Sequence, residues 1–185
     1  MIGIVALSCN NSKKSDVDNK VIVKKELRPF FDSDRIDYYC LVSPSDFEYS
    51  SHDNSIEKEN KKEFSSFFYG TYPDIISKKN FENLLLKYKY KKKDLSIKQQ
   101  KRIENIFSEK DSIQTDGYAC IPEFRDIFIF KKKENTVGIA KICFKCARFQ
   151  IIGSKLDVNG FGLFNEFKKL KKIVHPESYS ILITN

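Results

Sequence analysis

Five cysteines are the side chains in this 185-residue chain best able to do chemistry. Two of them form a CxxC, Cys143-Phe144-Lys145-Cys146, and that spacing supports three chemistries. In thiol–disulfide exchange, Cys143 would be a low-pKa nucleophile at a helix N-terminus and Cys146 would resolve it. The residues that follow, Ala147 to Gly153, are short and β-prone, so the helix needed to stabilise a thiolate is missing from the pattern. A structural zinc site would need four ligands, for example Cys120, Cys143, Cys146 and His175, yet it normally brings a second close pair. The third chemistry is a structural disulfide: Cys120 with Cys143 or Cys146, or a Cys143–Cys146 bridge. Buried free thiols remain the alternative. Neither histidine is a compelling ligand. His52 sits in a charged stretch, and His175 at a helix end suits compensation of the helix dipole.

The elements that must position these cysteines follow from periodicity. Asp126–Phe130 and Val137–Phe144 alternate with a period near two, and Lys133-Glu134-Asn135 is a polar turn between them, so a β-hairpin is expected over 126–144. Arg148–Ile152 offers a third strand and Ile36–Val42 another. Ser77 can cap a helix carrying Phe81, Leu84, Leu85 and Tyr88 at i, i+3, i+4, i+7. Ser96 with Gln99 is a capping-box pattern ahead of Ile103, Ile106 and Phe107; the two helices would join near 90–95. A last helix would turn Phe164, Phe167, Leu170 and Val174 inward and end before Pro176. Residues 50–64 show no apolar face and read as a surface loop. The expected fold is α+β, a small antiparallel sheet packed by about three helices, with 21–185 as one domain. A hydrophobic content of 41% is enough for one core without staples.

The cysteine hairpin also resembles a known pattern. Cys120-Ile-Pro-Glu-Phe-Arg125, the strand Ile127–Phe130, a turn and Ile142-Cys143-Phe144-Lys145-Cys146 are similar to a group of uncharacterised bacterial proteins, many of them predicted lipoproteins. In this chain Glu123-Phe124 separates Pro122 from Arg125. The resemblance spans 120–146 and the terminal helix in outline. It implies no activity, but it implies that Cys120, Cys143 and Cys146 form one structural unit.

Ahead of the domain, Met1–Ser8 is an uncharged apolar run, and Ala6-Leu7-Ser8-Cys9 resembles a bacterial lipobox. Eight residues are short for a signal, so 1–8 is expected to be a truncated signal-like segment, Cys9 the lipid site and 9–20 a polar tether. On that expectation the protein sits in the cell envelope, held to the membrane by lipid on Cys9. The competing view is a buried first strand in a cytoplasmic protein whose true start is Met1.

The net charge of +8 is concentrated. Residues 78–102 hold ten Lys or Arg against Glu82 and Asp94, densest at Lys87, Lys89, Lys91, Lys92 and Lys93. Interleaved Tyr and Lys could bind single-stranded nucleic acid. However, Tyr88 falls on the apolar helix face, and lysine lacks the bidentate fork of arginine. An acidic protein or anionic lipid is the better-matched partner. No Gly-rich phosphate loop, Gly-x-Ser-x-Gly or His-Glu-x-x-His occurs, and no cofactor is implied. The leading expectation is a non-catalytic envelope domain that binds a protein, of which immunity toward a delivered toxin is one form. Thiol–disulfide exchange through Cys143 and Cys146 and a basic nucleic-acid module are the alternatives.

Overall fold

Four consecutive residues, Ile127-Phe128-Ile129-Phe130, are buried without a break. A strand can bury both of its faces only if both faces of its sheet are covered. The computed structural model, which describes residues 27–41, 58–76, 81–110, 120–162 and 165–177, shows that arrangement. Its strands are β1 (Arg35–Cys40), β2 (Lys91–Lys93), β3 (Asp126–Lys132), β4 (Asn135–Cys143) and β5 (Arg148–Ile152). They form one sheet in the order β2-β1-β3-β4-β5, antiparallel at every pairing. The helices are α1 (Lys58–Phe68), α2 (Phe81–Lys87), α3 (Ile97–Ile106) and α4 (Glu166–Val174). The fold is α+β, with four helices among the described residues.

Side-chain alternation divides the core. Ile36, Tyr38, Cys40, Phe128, Phe130, Ala140 and Ile142 pack on one face against Ile103 and Ile106 of α3 and Leu170 and Ile173 of α4. Tyr39, Ile127, Ile129, Ile139 and Cys143 pack on the other against Phe64, Phe67 and Phe68 of α1 and Leu85 of α2. The hairpin expected over 126–144 is β3–β4. Its turn residues Lys133 and Glu134 both have positive φ, the geometry of a two-residue hairpin turn that usually calls for Asn-Gly. Here outside groups hold it: Asp34 accepts from the Lys133 amide at 2.9 Å, and Arg35 donates to Glu134 at 2.5 Å. On α3 the capping box forms as expected, with Gln99 N–H donating to Ser96 Oγ and Ser96 N–H donating to Gln99 Oε1.

Three local expectations change. The stretch 50–64 was expected to be a loop, but α1 begins at Lys58; its first half is polar and only Phe64, Phe67 and Phe68 reach the core. The link near 90–95 contains β2, which exists because β1 offers it an edge to pair with. On α4 the deeper anchor is Ile173, and Val174 is only half-buried. Val42, Ser77, Phe164 and His52 lie outside the described residues, as do 1–8, Cys9 and the tether 9–20.

Candidate functional site

The three hairpin cysteines do come together, and one of the open pairings is made: Cys120 bonds to Cys146, with Cα atoms 6.2 Å apart. Cys143, first residue of the CxxC, is a free thiol 1% exposed at the end of β4. A turn follows it and no helix, so the arrangement lacks the helix N-terminus that redox cysteines use. Cys40 is a second buried free thiol, pushed up by burial and by the charge of Asp126. His175 lies on the opposite face of the sheet from Cys143, so the four zinc ligands considered above are not brought together. Among the described residues no cluster of three or more His, Cys, Asp or Glu is placed to hold a metal.

The least expected side chain is Lys141, in the middle of β4 and 0% exposed. Among the described residues no carboxylate pairs with it. Its amine donates to two backbone carbonyls, Gly70 O at 2.8 Å and Tyr72 O at 2.9 Å, and lies 4.5 Å from the Phe124 ring centroid. Burial lowers its pKa from 10.5 to about 7. Beside it on β5, its register partner Gln150 donates to Thr71 O at 2.5 Å and Pro73 O at 3.1 Å. Two side chains from the sheet thus hold four successive carbonyls, 70 to 73. The segment they hold leaves α1 and exposes Tyr69, Tyr72 (40%) and Ile75 (67%).

A second segment lies alongside. Phe124 N–H donates to Phe68 O at the end of α1, which brings 120–125 against the start of that loop. The disulfide ties the head of this segment to the β4–β5 turn, and Ile121 beside it is 75% exposed. Tyr69 feels the charges of Glu123 and Arg125. The result is a surface of tyrosine and isoleucine with arginine at its rim, carried on backbone fixed from beneath. Tyrosine and arginine are enriched in protein interfaces, and a fixed backbone loses little freedom on binding.

The chain matches no family model, no curated protein and no solved structure in the comparisons made.

The lysine-rich stretch is placed differently from expectation. Lys91, Lys92 and Lys93 form β2, an edge strand rather than a helix face. Lys87 ends α2 and turns to α1, donating to Glu63 at 2.7 Å and Asn60 at 2.8 Å. Lys89 is exposed in the turn between α2 and β2. Lys92 pairs with Asp37 at 3.0 Å and lies over the Tyr39 ring. The interleaved tyrosines point inward. Tyr88 donates to Glu63, Tyr90 donates to Phe124 O at 2.5 Å, and both rings are buried. No base could stack on them.

Sequence reasoning missed a polar cluster on the other face. Tyr38 Oη donates to Asp126 Oδ1 at 2.5 Å, and His175 Nε2 lies 2.7 Å from the same oxygen. Burial works to lower the imidazole's pKa, but the hydrogen bond and charge of Asp126, helped by Glu177, outweigh it and raise the value. The cluster pins the C-terminal end of α4 to β1 and β3. His175 was expected to compensate the α4 dipole; it caps that helix and also fastens it to the sheet. A lysine alone in an apolar run was a visible signal for Lys141. Nothing local marks Asp126 and His175, 49 residues apart.

Proposed function

We propose that this chain is a non-catalytic domain of the cell envelope that acts by binding another protein, through the surface made by loop 69–76 and segment 120–125. The observation that carries this reading is the grip of Lys141 and Gln150 on four successive carbonyls of a loop whose large side chains face solvent. Burying a lysine with no carboxylate is costly, and what it holds in position is an exposed aromatic surface. The Cys120–Cys146 disulfide supports an oxidising location. That agrees with the expected lipid attachment at Cys9 and with the resemblance of the cysteine hairpin to that of predicted lipoproteins. Thiol–disulfide exchange has less behind it, since Cys146 is bonded to Cys120 and Cys143 is buried.

A photo-crosslinking amino acid placed at Tyr72 or Ile75, in cells that carry the chain, tests the surface. The expected result is one discrete protein adduct from both positions and none from Lys169 on the exposed face of α4. No adduct from either loop position, or the same adducts from Lys169, would overturn the reading.

A further inference from the structure

The charge concentrated in residues 78–102 is not used by the loop surface. β2 is the edge of the sheet, three strand steps from β4, or ~14 Å at the usual strand spacing. Lys91, Lys92 and Lys93 are all exposed on it, Lys89 is exposed just before it, and Lys98, Lys101 and Arg102 are exposed on α3 just after it. Two exposed large apolar residues flank the stretch, Leu86 near the end of α2 and Ile97 at the start of α3. The basic edge therefore has an apolar residue on the helix at either side.

We propose that this edge docks on an anionic lipid bilayer, with the lysines against headgroups and Leu86 and Ile97 entering the interface. This inference stands apart from the loop surface and from any lipid on Cys9. The chemistry favours lipid over other occupants. Lysine is depleted in protein interfaces, where arginine and aromatic residues are favoured, and here the tyrosines of the stretch are buried. Single-stranded nucleic acid needs exposed rings to stack on, and the edge presents none from Tyr88 or Tyr90. A second copy of the chain would bring lysine against lysine, the arrangement that keeps edge strands apart. Diffuse negative charge with an apolar layer beneath suits exposed ammonium groups beside Ile97 and Leu86.

The test is co-sedimentation of the full, unlipidated chain with phosphatidylcholine vesicles, with and without phosphatidylglycerol. Binding is expected only to the anionic vesicles and should fall with added salt. Each lysine removed should weaken binding about fivefold, so the double variant Lys91→Gln with Lys93→Gln should lose about 25-fold. Ile97→Ser should lose about tenfold while leaving the urea midpoint unchanged, since the side chain is exposed. Lys155→Gln, just past β5 at the other edge of the sheet, should lose little. Equal binding to neutral vesicles would overturn the proposal, and so would equal loss in Lys155→Gln. Binding of a polyglutamate peptide in place of vesicles, unaffected by Ile97→Ser, would assign the edge to an acidic protein instead. None of these outcomes touches the loop cross-linking, so the two readings fail separately.

Discussion

Replacing Lys141 by methionine keeps the length of the side chain and removes the amine, which makes the energetics of the buried site measurable. In the folded protein the amine titrates near 7, against 10.5 when exposed. At about 1.4 kcal/mol per pH unit, holding a charged ammonium in the site at pH 7 and below costs about 5 kcal/mol. Between those two values the unfolded chain binds the proton and the folded chain does not, so stability rises with pH across the window. Methionine removes that dependence, and it also leaves Gly70 O and Tyr72 O without the amine's hydrogen bonds. Orphaning two buried carbonyls costs about 1–3 kcal/mol each.

The two effects oppose each other, and their balance moves with pH. Near pH 9.5 wild type should be the more stable by a few kcal/mol. By pH 7 that advantage should have shrunk by about 3 kcal/mol, and the variant should equal or exceed wild type. Urea unfolding of both proteins at half-unit steps from about pH 6 to 9.5 reads this directly. Groups common to both proteins, such as the raised Cys40 thiol, cancel in the difference. A difference that stays constant with pH to within about 1 kcal/mol would show that the amine does not titrate near neutrality, and the account of Lys141 would fall.

Three further outcomes follow from the same structure. His175→Ala should destabilise by about 1.5–3 kcal/mol at pH 5.5, the scale of a hydrogen bond to a charged group. Because the folded pKa of His175 is raised, this contribution is complete below about 6.5 and fades as pH rises through the folded value, so the variant should differ less from wild type at pH 8.5. Replacing Cys120 and Cys146 together by serine opens a bridge with a sequence separation of 26 and should lower stability by about 3 kcal/mol; urea midpoints of the variant should then be indifferent to reductant. Gly138→Ala should cost more than about 2 kcal/mol by thermal melting, since a Cβ there would lie 2.3 Å from the ring of Phe31, itself packed on Phe130.

What could be read from the chain alone was what local physics determines. The β3–β4 hairpin, the strand at 148–152 and the capping box of α3 depend on side chains within a few residues of one another, and all were legible. The element at 91–93 was not. Lys-Lys-Lys has no strand pattern, and it is extended because Tyr88 and Tyr90 enter the core beside it and β1 accepts it. The first half of α1 was illegible for the same reason: its helix is stabilised by Phe64, Phe67 and Phe68 packing on the sheet, and the polar turn before them follows. The cysteines were visible as a cluster, but choosing Cys120–Cys146 over the other pairings needed the position of segment 120–125 against α1. Cys9, which lies outside the described residues, remains where the sequence left it.

The two faces of the sheet use polar groups for different ends. On the α3–α4 face, Tyr38, Asp126 and His175 satisfy one another and close the end of an aromatic core. On the α1–α2 face, the polar groups of Lys141 and Gln150 are aimed outward, at a loop that α1 also holds through Tyr72 N–H donating to Ser66 O at 3.1 Å. An apolar residue at 141 would pack against Phe124 but would leave the carbonyls of that loop to find other partners. With the lysine and the glutamine, β4 and β5 hold the backbone of 70–73 that carries Tyr72. If a partner covers this surface, a backbone already held in place reduces the ordering cost of binding. Releasing the grip with Gln150→Ala should therefore weaken binding at the loop while leaving the buried core intact.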